Sequence, residues 1–148
     1  KRRVPLRAAS LNEFAELVQR NGIKEVRAFP FEKLLHYEHS ELTMLAVHQC
    51  ATRFESMTPA GRKIIYEEPH YTFSIGDVSY PGSHNEDKYA IKGILTAEAR
   101  LRDLEQRIPG LTIHSPIQEM SAQEQARIRL KAESEGITPY PKPQSSNR

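Results

Sequence analysis

The sequence predicts an α+β domain: three to four helices packed on a small antiparallel sheet, with a hairpin around residues 62–80 at its centre. Three observations lead there. Ser10 and Ser121 each stand three places before a glutamate, Glu13 and Glu124, the arrangement that caps a helix N-terminus. Ala90, Ile94, Ala97, Leu101, Leu104 and Ile108 form a narrow apolar seam with alternating spacings of four and three. Tyr71, Phe73 and Ile75 alternate with Thr72, Ser74 and Gly76, the period of a half-buried strand.

The first helix starts after Ser10. Leu11, Phe14, Leu17 and Val18 recur at helical spacing, and Asn21-Gly22 supplies the left-handed stop. Ile23, Val26 and Phe29 then mark a short strand or extended link. Pro30 suits the first turn of a helix, because its missing N–H has no partner there anyway. Phe31, Leu34, Leu35, Leu42, Leu45 and Ala46 share one face at about 100° per residue, so residues 31–57 are expected to be helical, as one helix or as two with a second start at Ser40. Thr58-Pro59-Ala60-Gly61 ends that region.

Residues 62–80 read as two strands joined at Glu68-Pro69. Tyr80-Pro81-Gly82-Ser83 has the residues of a type II turn. A lone hairpin is marginal in water, so it must pack on the helices or gain a third strand. The polar stretch Ser83–Asp87 leads into the seam helix, which Pro109-Gly110 stops. The last helix, after Ser121, is nearly all polar and ends at Gly136.

The expected organisation is a basic arm over 1–9, one globular domain over 10–136 and a proline-rich tail or linker over 137–148. Four of the first seven residues, Lys1, Arg2, Arg3 and Arg7, are basic, which leaves the rest of the chain slightly acidic against a net charge of +2. Pro139, Pro141 and Pro143 favour an extended tail, read as a spacer or as a ligand for an aromatic groove. Such connector-like ends lead to the expectation of a module cut from a longer protein. The single Cys50 cannot form an internal disulfide, which points to a reducing, cytoplasmic setting. No apolar run approaches the roughly 20 residues of a membrane span, so no membrane contact is expected.

Four clusters carry possible chemistry. Asp77, His84, Glu86 and Asp87 lie close together around a loop, where His serves as a base and carboxylates hold a metal. Tyr80 or Ser83 would be the nucleophile of a covalent route. The same residues are ordinary turn formers. His36 and His39, one turn apart on the expected helix, are the candidate metal ligands. His48 falls on the far side of that helix, and no CxxC or HExxH spacing is present. Tyr66, Tyr71, Phe73 and Tyr80, near Arg62, Lys63 and Lys88, could stack bases while cations hold phosphates. The seam residues Ile94, Leu101 and Leu104 could meet a partner helix or pack inside the domain.

No phosphate loop or GxSxG elbow occurs, and no cofactor is expected. The expected function is a non-enzymatic interaction module that binds a protein partner, with nucleic-acid contact through Lys1, Arg2, Arg3 and Arg7. Two alternatives stand beside it. One is a metal-assisted hydrolase or nuclease built on Asp77, His84, Glu86 and Asp87. The other is a direct DNA- or RNA-binding domain.

Overall fold

In the computed structural model, which describes residues 4–39, 43–74 and 86–143, three α-helices and a five-stranded mixed sheet form an α+β domain. In chain order these are β1 (Leu6–Arg7), α1 (Leu11–Arg20), β2 (Glu25–His39), β3 (Thr43–Met57), β4 (Lys63–Ser74), α2 (Glu86–Arg107), β5 (Thr112–His114) and α3 (Ala122–Glu135). A 3-10 turn at Ile117–Glu119 precedes α3. The strands lie in the order β1-β4-β3-β2-β5. β2, β3 and β4 are an antiparallel meander, while β1 joins β4 and β5 joins β2 in parallel.

The expected helix over 31–57 is not formed. Those residues belong to β2 and β3, which pair continuously from Arg27↔Glu55 to His39↔Thr43. The apolar spacing of 31–46 imitates a helix. The strand period is hidden because the core-facing side of the ribbon is small or polar: Ala28, Thr52 and Ser56, with Phe54 as its large apolar member, are all buried. Leu34, on the apolar face of the expected helix, is 48% exposed. Ser40 lies outside the described residues.

The expected hairpin turn at Glu68-Pro69 is not formed either. β4 runs unbroken through it. Cys50 pairs with Tyr71 and Ala51 with Pro69, so His70 is the extra residue of a β-bulge. Both strand prolines avoid a lost ladder bond by sitting at edges. β2 has β5 beside it only over Glu25–Arg27, and β4 has β1 beside it only at Ile64–Ile65, so Pro30 and Pro69 lie beyond those pairings. The Tyr80–Ser83 turn lies outside the described residues.

The helices follow the sequence closely. Ser10 Oγ accepts from the Glu13 amide at 3.1 Å, and Glu13 accepts from the Ala9 amide at 2.7 Å. Ser121 caps α3 in the same way, and Gly136 closes it with φ +67°. α1 and α2 cover one face of the sheet. There Phe14 and Val18 meet Val26, Ala28, Phe54, Ile64 and Tyr66, and Ala97, Leu101 and Leu104 close the core. α3 packs on α2 through a second cluster of Ile91, Leu95, Ile117, Ile128 and Ile137. Ile128 is 1% exposed, so α3 is less solvated than its composition suggests.

Candidate functional site

The opposite face of the sheet carries no described helix, and its side chains are laid out by strand alternation. Arg27, Phe29, Phe31 and Lys33 of β2 stand opposite Glu55, Arg53, Ala51 and Gln49 of β3. Lys63, Ile65 and Glu67 extend the rows on β4. Charges interleave across the strands. Arg53 reaches Glu55 at 2.7 Å and Glu67 at 3.1 Å, and Lys33 reaches Glu67 at 2.9 Å. The Arg53 guanidinium also lies 4.8 Å from the centre of the Phe31 ring. Two half-buried aromatic rings thus sit within a charged lattice on this face, with Ala51 and Ile65 buried beneath the longer side chains.

At one end of this face the sheet parts. The β2–β3 ladder stops at Arg27↔Glu55, whereas β3 stays with β4 to Met57↔Lys63 and β2 stays with β5 to Glu25↔Thr112. Between the parted strands is a cleft of about 580 Å³. Ile23, Val26 and Met57 give it apolar walls, and Lys24, Arg27 and Lys63 give it cations. Ser56 lines it too. This residue is 8% exposed, and its buried Oγ has no hydrogen-bond partner.

On the helix side, His70 follows Tyr66 and Glu68 inward by strand alternation, and the bulge at His70 brings Tyr71 to the same side. His70 Nε2 shares a 2.7 Å hydrogen bond with Thr52 Oγ1, and its ring lies flat on Tyr140, 4.1 Å between centres. Burial pulls the His70 pKa below its ordinary value. The Arg100 and Lys92 cations pull the same way and the Glu68 carboxylate opposes them, so the surroundings favour the neutral imidazole. Burial, reinforced by Glu68, pushes the neighbouring Tyr66 phenol up to about 12. Glu68 and Arg100, 1% and 3% exposed, form a two-pronged pair at 2.9 and 2.7 Å.

Thr52, His70 and Glu68 follow the order of a nucleophile, a base and an orienting carboxylate. The geometry does not serve that chemistry. Thr52 is 0% exposed, Glu68 stands 4.0 Å from His70 Nδ1, and both Glu68 oxygens already accept from Arg100. Instead the cluster holds the tail. Arg100 donates to the carbonyls of Tyr140 and Pro141, Thr96 accepts from the Tyr140 amide, and Lys92 donates to the Thr138 carbonyl. Residues 137–143 therefore lie along α2, with Ile137 buried. A cavity of about 260 Å³ adjoins them, lined among others by Pro30, Glu32, His70 and Gly93.

The sequence-derived candidates are dispersed. Asp77 and His84 lie outside the described residues. Glu86 opens α2, and Asp87 is tied to Arg127 and Lys131 of α3 at 3.4 and 3.5 Å. His36 and His39 are on β2, three residues along a strand and so about 10 Å apart rather than one helical turn. No group of three metal-capable side chains occurs among the described residues. Leu101 and Leu104 are fully buried in the main core and Ile94 packs on the second cluster, so the seam faces the interior of the domain. Lys1, Arg2 and Arg3 lie outside the described residues, while Arg7 pairs with Ile65 in the sheet. No described helix is long and apolar enough to cross a membrane.

Comparison with protein-family models, curated proteins and solved structures finds no match. The open face and the buried cluster were not singled out by sequence reasoning. Both depend on the strand identity of 25–57, and the cluster also depends on Arg100, which sits beside the seam at Leu101.

Proposed function

We propose that this chain is a non-enzymatic interaction module, and that the open face of its sheet holds a protein partner. The observation that carries this is the surface bearing Phe29 and Phe31 amid Arg27, Lys33, Arg53, Glu55 and Glu67, which no described helix covers. Aromatic rings and arginine are the residue types that anchor protein interfaces, and charges of both signs set partner choice and orientation. Further support comes from the helix side, where the most buried ionisable groups bind one another and the tail. The single thiol suits a reducing, cytoplasmic setting. Nucleic-acid contact through Lys1, Arg2, Arg3 and Arg7 belongs to the same proposal. Four phosphate contacts give a log–log salt slope no steeper than about −3.6.

The test uses the full chain as bait in quantitative affinity capture from its native cells. Wild type and Arg129→Glu, altered on the exposed side of α3, are expected to retain the same proteins. Phe31→Glu is expected to lose them. Retention of the same set by Phe31→Glu overturns the proposal.

A further inference from the structure

We infer that the cleft between β2 and β3 captures the free carboxylate end of an extended peptide. This rests on the interaction reading above and gives the partner's contacting segment a chemistry. Three independent features of the cleft converge on it.

The first is backbone geometry. Glu25 and Val26 keep their pairing to β5, and Ser56 and Met57 keep theirs to β4, yet β2 and β3 are not paired with each other at these positions. Two strand edges therefore face one another across the opening. An extended chain end uses such edges through main-chain hydrogen bonds, while alternate side chains enter pockets on either side. A compact ion or a globular surface cannot use them in that way.

The second is charge. Three cations, Lys24, Arg27 and Lys63, line the cleft against two carboxylates, Glu25 and Glu55, and His114 adds an imidazole. Both carboxylates are engaged. Glu25 lies 3.3 Å from His114 Nε2, and Glu55 lies 2.7 Å from Arg53. Arg27 leans away to Glu119 at 3.2 Å, and Lys63 approaches Glu55 only to 3.8 Å. Lys24 has no ion pair among the described residues. The unspent charge at the mouth is positive, and a terminal carboxylate supplies the opposite sign.

The third is Ser56. Its hydroxyl is buried without a partner, and a buried polar atom left unsatisfied calls for an explanation. Ser56 lines the cleft from the inner side of β3, so only a chain end that reaches in between the strands would meet this hydroxyl. The apolar walls of Ile23, Val26 and Met57 suit an aliphatic last side chain.

The test presents the full chain with synthetic pentapeptides randomised at every position, prepared as one pool of free acids and one of amides. Backbone amide shifts of the labelled chain locate binding. The expected result is enrichment from the free-acid pool at least tenfold over the amide pool, with shifts at Val26, Arg27, Ser56 and Met57. Lys24→Glu combined with Lys63→Glu should weaken the selected peptide at least tenfold. Ser56→Ala should weaken it several-fold with no loss of melting temperature, because it removes an unpaired hydroxyl. Equal enrichment from both pools, shifts confined to other residues, or unchanged binding by Ser56→Ala overturns the inference. Phe31→Glu separates the two proposals: it should lose the cellular partner and keep the peptide. If the charge-reversed cleft keeps the peptide while Phe31→Glu still loses the partner, only the cleft inference fails.

Discussion

Replacing Arg100 by Met reaches the polar centre of the helix side. Arg100 makes two bonds to Glu68 and two to the tail carbonyls of Tyr140 and Pro141. Methionine keeps much of the volume and removes every donor. Glu68, 1% exposed, is then left as a buried carboxylate without its cation. Breaking a buried pair from one side costs about 3–5 kcal/mol, a large share of the roughly 5–15 kcal/mol that holds a domain together. Urea unfolding gives the size of the loss, and amide exchange at Tyr140 reports whether the tail has come free. The double variant Arg100→Met with Glu68→Met removes both charges and should recover most of the lost stability, since an apolar pair of similar volume has no desolvated charge. A loss below about 1 kcal/mol, the scale of an exposed pair, refutes the burial assigned to this bridge. So does a double variant no more stable than the single one.

Three further outcomes follow from the same packing. The folded chain holds His70 below its ordinary pKa, so the unfolded chain takes up a proton first as pH falls; stability should be level above pH about 6.5 and decline below it, and His70→Gln should flatten that decline in melting curves from pH 8 to 5. Phe54, 0% exposed between Phe14 and Tyr66, should cost about 3–5 kcal/mol on truncation to Ala, read by urea midpoint. Gly136 holds φ +67° at the turn from α3 into the tail, so Gly136→Ala should cost about 1 kcal/mol, and an unchanged melting temperature would contradict that conformation.

The helices were legible because their signals are local. Ser10 with Glu13 and Ser121 with Glu124 mark starts within one turn, Gly22 and Gly136 mark stops, and the 90–108 seam repeats along a single element. The sheet was legible only where its buried side is apolar, as at Val26 and Ile64. β3 hid because Thr52 and Ser56 face inward, and β2 because Phe29 and Phe31 lie on the opposite face; polarity and burial are decoupled there. Leu34 and Leu35, spaced with Leu42 and Leu45, then imitated a helix. The tail was read as a spacer because proline spacing reports an extended backbone and nothing of what grips it. Its grip comes from Lys92, Thr96 and Arg100, more than thirty residues away, and from His70, which follows Tyr66 and Glu68 onto the inner face of β4 by strand alternation. Of the candidate site, Arg62 and Lys63 were noted beside a strand, but a cleft made by two strands parting has no signature in either strand alone.

Carboxyl footprinting of the full chain, with and without a protein it captures, reads side-chain cover on each face separately. Glu25, Glu55 and Glu67 should be shielded by the partner, while Glu98, Glu124 and Glu133 on the helix side should react as before. Shielding of the helix-side set with Glu25, Glu55 and Glu67 left reactive would contradict the open sheet face as the surface by which this protein works.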